Sequence, residues 1–121
     1  MPKDNLLVDR IKGIGYAFRG AWFLVRTESS IQVQVVIAII MTVAGFYFEI
    51  SPTEWILQIF AIALVLGIEG VNPAVEKMSD YIQPEFDEKI GFIKDISAGA
   101  VMLVSLAASI VGLIIYVPKI I

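Results

Sequence analysis

The sequence lacks both cysteine and histidine. Without cysteine, disulfides and thiol chemistry are excluded; without histidine, the commonest general base and metal ligand is missing. Charge is also scarce, since charged residues make up 17% of the 121 residues and hydrophobic residues 58%. A soluble chain this short has too little interior to bury so much apolar surface. The net charge of −3 also disfavours a nucleic-acid binder, which needs a basic surface.

Charged side chains are missing from three stretches, 29–48, 55–68 and 96–118. A helix needs about 20 apolar residues to cross a bilayer, so the second stretch must continue through Glu69. We therefore predict an all-α membrane protein with transmembrane helices at about 30–48, 54–75 and 96–117. The alternative, a soluble bundle of three buried helices, is disfavoured because too few polar residues remain to cover its outside.

Residues 6–26 carry an apolar stripe with helical periodicity. Its members are Leu7, Ile11, Ile14, Phe18, Ala21, Trp22 and Val25. A helix with such a stripe and basic flanks is typical of the membrane interface, and we predict an amphipathic surface helix. A helix packed only against its own bundle is the open alternative.

The distribution of Lys and Arg predicts the orientation in the membrane. Basic residues are frequent before the first span and between the second and third, and absent from the turn at 49–54. The N-terminus and the 76–95 loop are therefore predicted to be cytoplasmic and the C-terminus outside. In the external turn, Ser51 or Thr53 is expected to cap the second span, and Tyr116 to lie near the outer interface as an aromatic anchor.

Polar residues at membrane depth are the strongest functional signal. Helical spacing brings four of them to one face of the second span: Glu69, Asn72, Glu76 and Asp80. A carboxylate inside a bilayer is costly and indicates function by default. A solvated helix end would explain Asp80 and Glu76, but not Glu69.

Carboxylate and amide oxygens suit Mg²⁺, which typically takes one or two carboxylates plus substrate phosphates. A second carboxylate held away from the metal is a candidate general base. Lys94 is a candidate phosphate contact or a positive-inside anchor. Asp95 is a candidate helix cap before Ile96. Glu28 either completes a metal site with Glu76 or is an interfacial charge.

Two segments resemble a known family. Residues 69–80, EGVNPAVEKMSD, are similar to the signature ExxNTAIExxxD of the bacterial integral-membrane diacylglycerol kinases, a family that includes undecaprenol kinases. Residues 94–101, KDISAGAV, resemble its second block, KDxAAGAV. Residues 10–12 and 15–20 resemble its amphipathic helix.

The resemblance implies a homotrimer with shared active sites that transfers the γ-phosphate of ATP, with Mg²⁺, to a lipid hydroxyl. By position, Glu69 corresponds to the general base, and Glu28 and Glu76 to the metal carboxylates. Asp80 and Pro73 would have supporting roles. The implied nucleotide-binding residues are Arg10, Tyr16, Asn72, Glu85, Asp87, Lys94 and Asp95.

The sequence departs from the family pattern at three places. Pro73 replaces the usual Thr or Ser, and because proline lacks an N–H we expect a bend next to Glu69. Gln32 and Gln34 replace charged residues, which bears on lipid choice. Phe86 replaces a common Tyr.

The sequence thus predicts an ATP- and Mg²⁺-dependent lipid kinase of the bacterial inner membrane. Phosphorylation of diacylglycerol to phosphatidic acid is the leading interpretation, and undecaprenol is the alternative substrate. A small transporter would use Glu69 as its ion site, but the chain has no inverted repeats. A third interpretation is an inactive membrane interaction module with Pro73 as the lesion.

Overall fold

The computed structural model describes residues 5–85 and 87–121, and these form four helices. The helices are α1 (Leu6–Thr27), α2 (Ser29–Tyr47), α3 (Pro52–Ile82) and α4 (Glu88–Ile120). The last three are long and apolar enough to cross a membrane, which confirms the predicted spans in number and order. α1 is also confirmed as a helix, and none of its residues is buried. Its position in the membrane interface stays a prediction.

α3 extends further at its C-terminal end, and α4 further at its N-terminal end, than predicted. α3 continues to Ile82 and α4 already begins at Glu88, so most of the predicted 76–95 loop is helical. The end of an apolar run marks where a helix leaves the bilayer, but backbone hydrogen bonding continues through charged residues beyond that point. The connection itself is short, and Phe86 within it lies outside the described residues.

The predicted cap of the third span was also wrong. Asp95 lies inside α4, whereas Asp87 is the N-cap, and its Oδ1 accepts hydrogen bonds from the backbone N–H groups of Lys89 (2.8 Å) and Ile90 (3.3 Å). Such a cap satisfies amide groups that have no partner within the helix. Asp87 therefore has a structural task, and its role in nucleotide binding stays a prediction.

A tight turn joins α2 to α3 at the end of the molecule predicted to be external. Ser51 Oγ accepts from the backbone N–H of Glu54 (3.2 Å), and Glu54 Oε1 accepts from the backbone N–H of Ser51 (2.9 Å). This reciprocal capping box confirms Ser51 as the cap. Pro52 follows as the first helical residue, where its missing N–H costs nothing.

The same end holds three of the five buried hydrophobic side chains in the described residues. Ile50, Ile115 and Tyr116 form one apolar cluster, with Trp55 packed against it. The Nζ of Lys119 lies 2.8 Å from Oε2 of Glu54, which joins the end of α4 to the start of α3.

Tyr116 takes part in a polar contact inside the bundle. It is 7% exposed, so it is not the interfacial anchor we expected. Its hydroxyl donates to Oε1 of Gln58 (2.5 Å), and Nε2 of Gln58 donates to the Met41 carbonyl (3.0 Å). A polar group at membrane depth needs an internal partner, and these bonds join α2, α3 and α4.

We expect Gly45→Ala to destabilise the protein by about 1–3 kcal/mol through overpacking. A Cβ at Gly45 would lie 2.6 Å from Cη2 of Trp55, too close without movement of the α2–α3 pair. The measurement is the midpoint of thermal unfolding in detergent micelles. Gly13→Ala is the matched control, since a Cβ there meets nothing within 4 Å. Equal midpoints for both variants would contradict this account of the packing.

Candidate active site

The corner between α1 and α2 lies against α3. Nε2 of Gln32 donates to the carbonyls of Val25 and Arg26 (both 3.1 Å), which are terminal carbonyls of α1 that lack helical donors. The Nζ of Lys77, on α3, lies 3.3 Å from Oε1 of Glu28 and 5.8 Å from the centre of the Phe23 ring. These contacts hold the C-terminal end of α1 beside the α3 segment that carries the candidate site.

Close packing next to Glu69 comes from α1 as well. A Cβ at Gly70 would lie 3.1 Å from Cδ1 of Leu24. Leu24 is also the one described residue of α1 that is half-buried rather than exposed. The glycine therefore leaves room for the Leu24 side chain of α1 against the α3 backbone, one residue after Glu69.

Glu69 is buried in the protein. The residue is 8% exposed, and its Oε2 has no hydrogen-bond partner in the described part of the chain. A buried, unpartnered carboxylate oxygen is unfavourable and calls for a functional explanation. A solvated helix end does not explain Glu69.

Pro73 lies one turn beyond Glu69, and α3 runs through it without a break. Proline supplies no N–H to the carbonyl of Glu69, so the helix lacks its regular bond at this point. The expected bend stays a prediction.

Asn72 connects the face of α3 to α4. Its Nδ2 donates to Oε1 of Glu76 (3.2 Å), and its Oδ1 accepts from the hydroxyl of Ser97 (2.6 Å). One turn earlier on α4, the Nζ of Lys94 donates to Oδ1 of Asp80. The predicted polar face of α3 is thus joined to α4 at two levels, and Asp80 supports Lys94.

The family assignment follows from the sequence comparison. Residues 15–116 match the family model described as "Prokaryotic diacylglycerol kinase". The chain belongs to the prokaryotic diacylglycerol kinase family. It is therefore a lipid kinase, and the transporter interpretation is wrong.

Relatives of this lipid kinase carry two different names. It is 32% identical to the undecaprenol kinase of Bacillus subtilis (strain 168), over 89% of this chain and 88% of the relative. It is 28% identical to the diacylglycerol kinase of Escherichia coli (strain K12), over 83% and 82% of the two chains. The diacylglycerol kinase of Haemophilus influenzae is 29% identical, over 94% of each.

Within residues 5–85 and 87–121, no side-chain hydrogen bond or ion pair joins the remaining candidate residues of the lipid kinase to this cluster. Arg10 and Tyr16 are exposed on α1, Glu85 is exposed in the α3–α4 connection, and Asp95 is exposed on α4. Their roles at the nucleotide stay predictions.

Of the acidic residues of the lipid kinase, Glu76 has the donor chemistry and exposure that a magnesium ion shared with nucleotide would need. Within the described ranges, no three carboxylates come together as a preformed protein cage. Mg²⁺ commonly uses one or two carboxylates together with phosphate oxygens and water. Glu76 is exposed and has one oxygen engaged by Asn72, so its other oxygen suits such a shared site. Glu28 is paired with Lys77, and its role as a metal ligand stays a prediction.

Sequence analysis missed two residues that build the site. Ser97 appeared there only within the segment KDISAGAV and Lys77 only within EGVNPAVEKMSD, and neither received a role at the site. The hydroxyl of Ser97 was a visible polar signal, but its partner Asn72 is 25 residues away in the chain, and no local pattern joins the two.

A cavity of about 530 Å³ lies between α2, α3 and α4, and it extends towards the turn that joins α2 to α3. Its lining is mostly apolar and includes Gln34, Gln58, Val65 and Tyr116. Val65 precedes Glu69 by one helical turn, so the cavity begins near the carboxylate but contains none of the candidate catalytic residues.

Proposed function

We propose that this lipid kinase transfers the γ-phosphoryl group of ATP to the primary hydroxyl of a lipid alcohol that stays in the bilayer. The observation that carries the proposal is Glu69, a buried carboxylate oxygen without a partner in the described residues, on a membrane-spanning helix. A hydroxyl group donates to such an oxygen and supplies the missing hydrogen bond.

Glu69 acts in this proposal as the general base. Its Oε2 accepts the proton of the lipid hydroxyl while the hydroxyl oxygen attacks the γ-phosphorus, and the bond to the bridging oxygen breaks to release ADP. Burial excludes water, which would otherwise compete as the acceptor of the phosphoryl group. The reaction otherwise needs positioning and charge neutralisation, and requires neither histidine nor cysteine.

The nucleotide would approach from the cytoplasmic ends of α3 and α4. Glu76, with Glu28, would hold Mg²⁺, which neutralises phosphate charge when bound. Asn72 fixes one oxygen of Glu76, and Lys94 presents an ammonium group held by Asp80. In this arrangement the lipid hydroxyl would bind at Glu69 and the nucleotide near Glu76. The two residues are about 10 Å apart along the helix, at 1.5 Å per residue.

We favour undecaprenol as the lipid substrate. The supporting observation is the 32% identity to the Bacillus subtilis undecaprenol kinase, against 28% to the Escherichia coli diacylglycerol kinase. Diacylglycerol, the leading interpretation from sequence alone, is the second candidate because the family model is described by that activity.

The proposal includes the predicted assembly and orientation. A homotrimer would surround the acidic groups at membrane depth with protein. The N-terminus and the α3–α4 connection, where the basic residues lie, would face the cytoplasm.

The test uses purified protein in mixed micelles with γ-labelled ATP and Mg²⁺, with undecaprenol and diacylglycerol offered separately. We expect label in the extracted lipid, with kcat/KM at least about tenfold higher for undecaprenol. A preference for diacylglycerol would overturn the substrate assignment alone. Absence of label from both lipids, in protein that binds nucleotide, would overturn the proposed reaction and favour the inactive membrane module.

A further inference from the structure

Ser97 makes a side-chain contact that differs from those of two other aliphatic hydroxyl groups in the spans. Ser109 and Thr42 each donate to a carbonyl of their own helix, at 2.8 and 2.7 Å. Ser97 on α4 instead donates to the side chain of Asn72 on α3, at 2.6 Å. The bond therefore crosses between helices and ends on a group of the candidate active site.

The two ends of the Asn72 amide have opposite hydrogen-bonding chemistry. The oxygen only accepts and the nitrogen only donates. Since Ser97 donates to Oδ1, the amide nitrogen is turned towards Oε1 of Glu76, to which it donates at 3.2 Å. The opposite orientation would place the amide oxygen against a carboxylate oxygen, and two acceptors repel each other.

We propose that Ser97 is a positioning residue for the metal–nucleotide site. Its hydroxyl sets the orientation of the Asn72 amide, and that amide engages one oxygen of the Glu76 carboxylate, whose other oxygen would be available to a bound cation. Ser97 itself touches neither substrate. This inference rests on the proposed function, because it assigns Glu76 to magnesium.

A packing role for Ser97 leads to a different expectation. A residue that only joins α3 to α4 would change the stability of the protein without selecting one substrate over the other. A positioning residue changes the affinity for metal and nucleotide and leaves the lipid site unaffected. The two roles are therefore separated by comparing binding constants.

The experiment uses Ser97→Ala, which removes the hydroxyl, and Ser97→Thr, which keeps it. Ser109→Ala is the matched control, with the same substitution on the same helix at a hydroxyl that bonds within α4. Binding of Mn²⁺ in the presence of a non-hydrolysable ATP analogue is followed by electron paramagnetic resonance. The KM values for MgATP and for lipid are measured in parallel.

We expect Ser97→Ala to weaken Mn²⁺–nucleotide binding and to raise the KM for MgATP by about three- to tenfold, the range for one lost hydrogen bond. The lipid KM should change less than about twofold. Ser97→Thr should bind Mn²⁺ within about twofold of the wild type. Ser109→Ala should bind Mn²⁺ as the wild type does.

A double-mutant cycle keeps the inference testable if the single variant loses stability. In an Asn72→Ala background, Ser97→Ala should have no further effect on Mn²⁺ binding, because the group it acts through is gone. Additive effects, or unchanged metal binding in Ser97→Ala, would overturn the positioning role. If the wild type binds Mn²⁺–nucleotide but phosphorylates neither lipid, the proposed function fails while the binding series still decides the role of Ser97.

Discussion

Glu69→Gln should lower kcat for lipid phosphorylation by about 100-fold or more, the range for loss of a general base. Glutamine fills the same space but cannot accept the hydroxyl proton as a carboxylate does. Binding of the metal–nucleotide complex should stay within about twofold of the wild type, since Glu69 is assigned to the lipid side. Single-turnover phosphorylation and nucleotide binding measure the two effects separately.

Stability provides an internal control for this variant. The substitution removes a buried carboxylate with an unpartnered oxygen, so the midpoint of thermal unfolding should not fall. Glu49→Gln is the matched control, because Glu49 is an exposed carboxylate in the turn between α2 and α3. A Glu69→Gln enzyme with kcat within tenfold of the wild type would exclude Glu69 as the base.

Glu76→Gln should reduce activity by about 100-fold or more at a fixed, moderate Mg²⁺ concentration. Mutating a residue that only hydrogen-bonds to a metal ligand lowers metal affinity or activity about 10- to 100-fold. We expect loss of a ligand itself to lower activity at least as much. Excess Mg²⁺ should recover part of the activity, because the variant weakens the site without removing the phosphate ligands. The measurement is the Mg²⁺ concentration that gives half-maximal activity, at saturating lipid and ATP.

The control for Glu76 is Glu88→Gln, which neutralises an exposed carboxylate in the first turn of α4. Its Mg²⁺ dependence should match that of the wild type. The KM for lipid should be unchanged in both variants. An unaltered Mg²⁺ requirement in Glu76→Gln would contradict its role as a metal carboxylate and would leave Glu28 to be tested in its place.

Most of the fold could be predicted from the sequence, because a helix that crosses a bilayer needs about 20 apolar residues. Gaps in charge of membrane-spanning length predicted α2 and α4 directly, and the second gap predicted α3 once Glu69 was allowed inside it. The helix ends were less accessible. Lys77 and Asp80 belong to the same helix as Glu69. Hydropathy did not predict this, because it indicates where a chain enters water and not where its helical hydrogen bonds end.

Only the part of the candidate site that lies on α3 could be predicted from the sequence. Helical spacing predicted that Glu69, Asn72 and Glu76 share a face, and the bond between Asn72 and Glu76 agrees with that arrangement. The contacts with Ser97 and Lys94 depend on how α4 packs against α3. Such pairings join residues far apart in the chain, and no periodicity within one sequence specifies them.

The length of α3 has a consequence for the membrane in which the enzyme works. The helix is anchored at one end by the Ser51 cap and the contact between Glu54 and Lys119. Glu69 lies about 26 Å further along, at 1.5 Å per residue, close to the opposite boundary of a hydrocarbon core about 30 Å thick. The length of the helix would therefore set the depth of the proposed base relative to the lipid hydroxyl. Hydrophobic mismatch with a thinner or thicker bilayer would shift that depth, so we expect the catalytic rate to depend on bilayer thickness.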